Sequence, residues 1–412
     1  MNIWGGKMVG SVIWSAYDEF VIQRFSSTAL LSVLSVVALM GLGLVELSAL
    51  GDLVSRLIPI FVFVIAISTV VNISSQVGLF DEVVSKLEKI APKHRLLRPV
   101  TLWVLLVLLA VVVTIFLSLD TTAVMITALA IPLARRNKIP VIGVAFTVVW
   151  IANIASMPLP VSNLTNLLAL GSDAFSGTLD YLSYAWKPAL TAIILVVAAA
   201  AIITLFYARI SQGEEVIRGQ GTSTSKHGYL LIICAVVVAV LMPVLASPIP
   251  YWLSTTVAAL LIMAACVRHN KYLLSVDLVP WNSLLLVTAV SGVAALVHTI
   301  GGAGWLRDLT AGAEGFVELV AIAGAGGVAA NVMNNIPAFL FLEPIVSTPV
   351  SYIALLIGVN AGPIITPWAS LATLLWHDQL RRAGVDIKWS TFIILGCILA
   401  PVVVLLSVAT LV

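Results

Sequence analysis

Two polar stretches interrupt otherwise apolar sequence, and each is followed by a second one. Ser118-Leu119-Asp120-Thr121-Thr122 comes first, followed by Met157-Pro158-Leu159-Pro160-Val161-Ser162-Asn163-Leu164-Thr165-Asn166. Asn331-Val332-Met333-Asn334-Asn335-Ile336-Pro337 comes later, followed by Asn360-Ala361-Gly362-Pro363-Ile364-Ile365-Thr366-Pro367-Trp368-Ala369-Ser370. Amides and hydroxyls at membrane depth are costly unless they line a cavity or a site. The candidate substrate- and ion-binding residues are Asp120, Thr121, Thr122, Asn153, Ser162, Asn163, Thr165, Asn166, Asn331, Asn334, Asn335, Asn360, Thr366 and Ser370. Asp120 aside, they offer hydrogen bonds without net charge, and no Lys or Arg lies in either group. Such a set can hold a polyol-like neutral solute, a cation, or an oxyanion helped by half-helix termini. Asp120, the one carboxylate expected near the midplane, can carry a proton across. Its competing role is to cap the helix that follows it. For the asparagines the competing role is hydrogen-bond glue between helices.

These groups need long apolar elements to place them. The chain has 412 residues, 61% hydrophobic and 10% charged, against about 25% charged in a soluble domain. Several runs reach the ~20 residues that cross a bilayer, so a polytopic all-α membrane protein is expected. Net charge of +2 and the lack of a basic patch point away from nucleic acid. Cys234, Cys266 and Cys397 stand apart in apolar runs, which suits buried hydrophobes and not a metal centre or disulfide framework. No nucleophile–base pair, Walker loop or metal-ligand spacing appears, so neither an enzyme nor a resident cofactor is expected.

Charge sets the expected topology. Residues 1–26 read as an interfacial segment, followed by spans near 28–46 and 57–76. Lys86, Lys89, Lys93, Arg95 and Arg98 accompany an amphipathic helix on the cytoplasmic surface. Arg135, Arg136 and Lys138 make the far end of the next segment positive as well. Positive charge at both ends predicts a re-entrant hairpin over 99–134 that turns at Asp120. Proline removes a backbone donor, so 140–170 reads as two half-helices joined at 157–163, with a loop over 171–187 and a span over 188–208. The hydrophilic stretch 209–227 joins a first repeat, 27–208, to a second, 228–412. The second holds spans near 228–246, 252–267 and 280–299, a hairpin entered from outside over 316–346, a helix over 350–376 broken at Gly362-Pro363 and Pro367, and a last span over 390–411. Inverted repeats with two opposed hairpins and two broken helices are the expected architecture, in the plasma membrane with the N-terminus cytoplasmic. Glu343 is expected to reach the outer surface.

Val332-Met333-Asn334-Asn335-Ile336-Pro337 and the run from Gly362 to Trp376 resemble the arsenical pump membrane protein family, of the larger ion-transporter superfamily; Ser162-Asn163-Leu164-Thr165-Asn166 is similar to its first broken-helix motif. Where that family carries Asn-Asp-Gly in the first hairpin, this chain reads Leu119-Asp120-Thr121. The resemblance implies efflux of arsenite and antimonite, small inorganic solutes, driven by protons alone or with a soluble ATPase subunit as partner. The alternatives are a sodium- or proton-coupled carrier of an organic or inorganic anion (dicarboxylate, sulfate, silicate) and, in a different class, an ion channel.

Overall fold

The computed structural model describes residues 47–94, 97–210, 228–281, 284–285, 287–289, 291 and 315–412. The expected interfacial segment 1–26, the span near 28–46 and all but the first two residues of the linker 209–227 lie outside the described residues, as does most of 280–299. Two compact units are present: Met1–Ser55 with Pro280–Trp305, and Arg56–Val279 with Leu306–Val412. The second contains both hairpins and both broken helices.

Every regular element among the described residues is helical. Among the described residues, seven helices are long and apolar enough to cross a membrane. Helix α1 (Leu47–Gln76) leads into the amphipathic α2 (Leu79–Ile90) through Gly78, whose φ of 86° suits glycine. Hairpin 1 follows: α3 (Leu97–Phe116), a turn, the short α4 (Leu119–Thr121), a π-helical turn (Thr122–Ile126) and α5 (Thr127–Arg136). The first broken helix is α6 (Val141–Ile154) and α7 (Leu164–Leu170), parted by a 3₁₀ turn at Pro160–Ser162. Long helix α8 (Thr178–Ile210) closes this half, and α9 (Gly228–Leu245) and α10 (Tyr251–His269) form a helical pair beyond it. Hairpin 2 is α11 (Gly315–Met333) and α12 (Asn335–Leu342). The second broken helix is α13 (Pro349–Ala361) and α14 (Leu371–Arg382), with 3₁₀ turns at Gly362–Ile364 and Pro367–Ala369 between them. Helix α15 (Trp389–Val408) ends the chain.

The expected loop 171–187 is wrong in its second part, because α8 begins at Thr178. Tyr181, Ala185 and Pro188 are buried at helical spacing, and the Tyr181 hydroxyl donates to the Met157 carbonyl, 2.9 Å away, in the first helix break. Pro188 sits inside this helix without ending it.

The hairpins are anchored at opposite ends of α1. Arg98, at the start of α3, donates to Asn137, just past α5, at 2.8 Å. Glu88 of α2 binds both Arg136 and Asn137. The two ends of hairpin 1 therefore lie together beside α2, at the Gln76 end of α1. Glu343, at the exit of hairpin 2, pairs with Arg56 near the other end. At about 1.5 Å per residue, Arg56 to Gln76 covers about 30 Å, the thickness of a hydrocarbon core. The ends of hairpin 1 and the exit of hairpin 2 are thus held at different levels along α1, and each hairpin is followed by a broken helix.

Candidate functional site

Each break carries its own polar groups to the interior, and the two breaks meet. Asn163 donates from Nδ2 to Asn360 Oδ1 at 2.5 Å. Asn360 Nδ2 in turn reaches Asn166 Oδ1 at 3.4 Å, and Ser156 Oγ donates to Asn360 Oδ1 at 3.4 Å. Asn153 Nδ2 donates to Thr373 Oγ1 at 3.2 Å. These bonds join α6 and α7 of one half to α13 and α14 of the other, and all the side chains involved are buried. The unwound backbone is held from within as well. Asn166 Nδ2 donates to the Ser156 carbonyl at 2.7 Å, and Ser162 donates to the carbonyls of Ser156 and Leu159. Asn153 Oδ1 and Thr165 Oγ1 are buried in this crossing without a hydrogen-bond partner among the described residues. Buried polar atoms are nearly always paired, so these two stand out among the groups of the crossing. Sequence reasoning missed Ser156 and Thr373, because single hydroxyls in apolar helices carry no spacing signal.

A second polar group joins hairpin 2 to the break that follows it. Asn331 Oδ1 accepts from the Thr366 hydroxyl at 2.6 Å and from its backbone N–H at 3.1 Å. Trp368 Nε1 donates to the Asn331 carbonyl at 2.6 Å, and Asn334 Nδ2 to the Trp368 carbonyl at 3.0 Å. Asn334 caps α12 through Ile336 N and has φ of 83° and ψ of 155°, a sparsely populated conformation for a side-chain-bearing residue. Asn335 and Ser370 are buried at the starts of α12 and α14. Asn163 binds Asn360, whereas Asn334 and Thr366 belong to this clasp; their hydrogen bonds fall into two groups and not one.

The turn of hairpin 1 forms a third group. Ser118 caps α4: its hydroxyl accepts from Thr121 N at 3.1 Å and contacts Thr121 Oγ1 at 2.8 Å. The Thr122 hydroxyl meets Thr114 Oγ1 at 2.8 Å. The capping role that competed for Asp120 is therefore filled by Ser118. Asp120 lies in the first turn, and its carboxylate makes no hydrogen bond or ion pair with a described residue. The π turn starting at Thr122 directly follows; such bulges gather at functional positions. The hairpin 1 tip packs against α14 of the other half, and α12 of hairpin 2 packs against α7. Each hairpin therefore touches the far half-helix of the opposite repeat.

A model of the family described as citrate transporter matches residues 19–352, most of the chain. The chain belongs to the citrate transporter family. A second family model, arsenical pump membrane protein, matches residues 349–412. Among its relatives, the arsenical pump membrane protein of Escherichia coli is 24% identical over 338 residues, covering 75% of this chain and 76% of that one. The putative arsenical pump membrane protein of Bacillus subtilis (strain 168) is 24% identical over 417 residues, 90% of each. The crystal structure of the Alcanivorax borkumensis YdaH transporter, reported for its unusual topology, superposes with a TM-score of 0.60 at 15% identity, covering 95% of this chain and 97% of that one. This likeness shows the fold. The family membership and the apolar helices make the protein a multi-pass membrane transporter.

Proposed function

We propose that this transporter exports arsenite and antimonite from a bacterial cell across the plasma membrane, with its N-terminus in the cytoplasm and protons entering through Asp120. The observation that carries the reading is the chemistry of the crossing. Among the described residues, the crossing and the clasp are built from Asn, Ser, Thr and Trp, with no Lys or Arg. Undissociated arsenite is a small neutral trihydroxide, and such a lining can exchange hydrogen bonds with it. Three of the helix starts that converge here are already capped by Ser118, Asn163 and Asn334, which reduces what is left for a multiply charged anion. Asp120 is the one unpartnered carboxylate at a hairpin tip, which suits the coupling role. Sodium is the alternative coupling ion, and a soluble ATPase subunit is the partner that the resemblance implies.

The second reading is a carrier of an organic anion, favoured by the breadth of the citrate-transporter match. Expression in a metalloid-sensitive host, followed by uptake into everted vesicles under an imposed pH gradient, separates the two. Resistance and gradient-driven arsenite accumulation are expected. Citrate accumulation without metalloid transport would replace the first reading by the second.

A further inference from the structure

Glu343 does not reach out to solvent as its place in the sequence suggests. Its carboxylate is held by both terminal nitrogens of Arg56, with Nη1 to Oε2 at 3.2 Å, and the two side chains are only 22% and 14% exposed. The same guanidinium donates from Nη2 to the carbonyl of Leu168. Leu168 lies in the last turn of α7, where carbonyls lack helical partners and carry partial negative charge. Tyr352, at the start of α13, directs its hydroxyl to Glu343 Oε1 at 3.5 Å. One guanidinium thus ties three elements: α1, the outer half of the first broken helix, and the exit of hairpin 2. Gly171 makes room for it. A Cβ there would come within 3.0 Å of Arg56 Cγ, while the φ of −74° imposes no need for glycine. Among the described residues this is the salt bridge that joins the two halves; the others lie within one half.

The position gives the pair a role. Helix α7 runs from the polar crossing at Asn163 to Arg56, and α13 runs from Glu343 and Tyr352 back to Asn360. A passage opening on this side between α7 and the exit of hairpin 2 has to break the Arg56 contacts. We propose that the Arg56–Glu343 pair, with the Leu168 carbonyl, is the latch that shuts the transport pathway on the side opposite the basic face, so that Arg56 and Glu343 are positioning residues for alternating access. A fork-shaped guanidinium on a carboxylate and a carbonyl is a two-state contact: it is fully made or lost when the elements separate.

This proposal rests on the transporter reading but not on the substrate, and its first test needs no substrate. Thr165→Cys, in a chain whose three native cysteines are Ser, reports on the crossing. Its labelling by a membrane-impermeant maleimide is read in right-side-out and inverted vesicles. Glu343→Gln and Arg56→Gln are each expected to raise labelling from the Arg56 side about tenfold, the ratio that a bias of about 1.4 kcal/mol produces. Labelling from the basic side should fall. The double variant should not add the two effects, since the groups act as one contact. Gly171→Ala should act in the same direction by displacing the Arg56 stem. Unchanged labelling in all these variants at normal membrane abundance would make the pair a structural tie only. In a second arm, Arg56→Cys/Glu343→Cys is joined by a short bifunctional thiol reagent in proteoliposomes. Joining should stop solute exchange, and cleaving the reagent should restore it. Full exchange while joined would overturn the latch. Failure to move arsenite would instead show as normal labelling behaviour with no metalloid flux.

Discussion

The turns of hairpins 1 and 2 occupy equivalent places in the two halves but are held differently. The second is bound to its own broken helix by four hydrogen bonds, through Asn331, Asn334, Thr366 and Trp368. It is also packed by glycine: a Cβ on Gly358 of α13 would meet the Ala323 carbonyl oxygen of α11 at 2.0 Å, and one on Gly362 the Gly327 carbonyl oxygen at 2.8 Å. Small residues let helix backbones approach this closely in membranes. The turn of hairpin 1 is bonded within itself, by Ser118, Thr121, Thr122 and Thr114. It rests on α6 and on α14 of the other half, and carries the unpartnered Asp120. Hairpin 2 and its broken helix are therefore fastened together, while the tip of hairpin 1 makes no such bonds to its own broken helix among the described residues. Under the proposed function, solute binding falls to the fastened side and the crossing, and coupling to the tip of hairpin 1.

Asp120→Asn should break that division most sharply. The substitution keeps the size of the side chain and removes its ionisation. Gradient-driven accumulation should be abolished, while downhill exchange persists because the crossing and the clasp are untouched. Everted vesicles with and without an imposed pH gradient measure both. Full uphill transport by the variant would leave hairpin 1 with no role beyond packing.

Next comes the glycine seam. Gly358→Ala should destabilise the protein by about 1–3 kcal/mol, the usual cost of overpacking a filled interior, and lower the unfolding temperature in detergent. Gly324→Ala, next to Ala323 but on the exposed face of the same hairpin arm, meets nothing within 4 Å. It should be neutral or slightly stabilising by helix propensity. Equal shifts for the two would mean that hairpin 2 is not seated on α13 as described.

The breaks were legible because two independent signals coincide there. Pro158, Pro160, Pro363 and Pro367 interrupt helices, and Asn and Thr stand beside them inside apolar runs. The far end of hairpin 1 was legible from Arg135 and Arg136 following Asp120, and Glu88 and Asn137 now show how that end is held. The Arg56–Glu343 pair was not legible, since its partners lie 287 residues apart and neither belongs to a periodic pattern. The early start of α8 was hidden by Asp180 and Lys187, which read as loop charge, while its apolar stripe is only Tyr181, Ala185 and Pro188. The crossing bonds between Asn163 and Asn360 were equally hidden. Sequence placed both residues at breaks but could not pair them.

Within the fastened half, Asn331→Ala and Thr366→Ala remove the same acceptor–donor contact from its two ends. Each weakens the clasp by about 0.5–1.5 kcal/mol per hydrogen bond; transmitted in full to a bound solute, that raises the half-saturating concentration roughly threefold to tenfold. The double variant should cost little more than either single one. Asn72 is a useful contrast: its amide donates to the Leu278 carbonyl at 2.8 Å, away from both polar groups. Asn72→Ala should lower stability and leave affinity unchanged. An equal affinity change there would indicate general loosening.

The smallest effect is expected at the thiols. Trivalent arsenic has a strong affinity for thiolates, which invites a role for Cys234, Cys266 and Cys397 in a metalloid carrier. Cys234 and Cys266 are fully buried on α9 and α10, which pack mainly on each other, and Cys397 is exposed on α15. None is among the groups bonded in the crossing, in the clasp or at the tip of hairpin 1. A thiol site would also hold its solute too tightly for rapid release, whereas exchange of hydrogen bonds with Asn and Thr keeps release fast. The variant with all three changed to Ser should therefore transport metalloid at the parental rate and half-saturation, measured in everted vesicles. Its unfolding temperature should fall modestly, because two buried positions exchange sulfur for a hydroxyl that needs a hydrogen-bond partner. Loss of metalloid flux in a triple variant of normal abundance and near-normal unfolding temperature would move the binding site to the α9–α10 pair and remove the division of labour between the two hairpins.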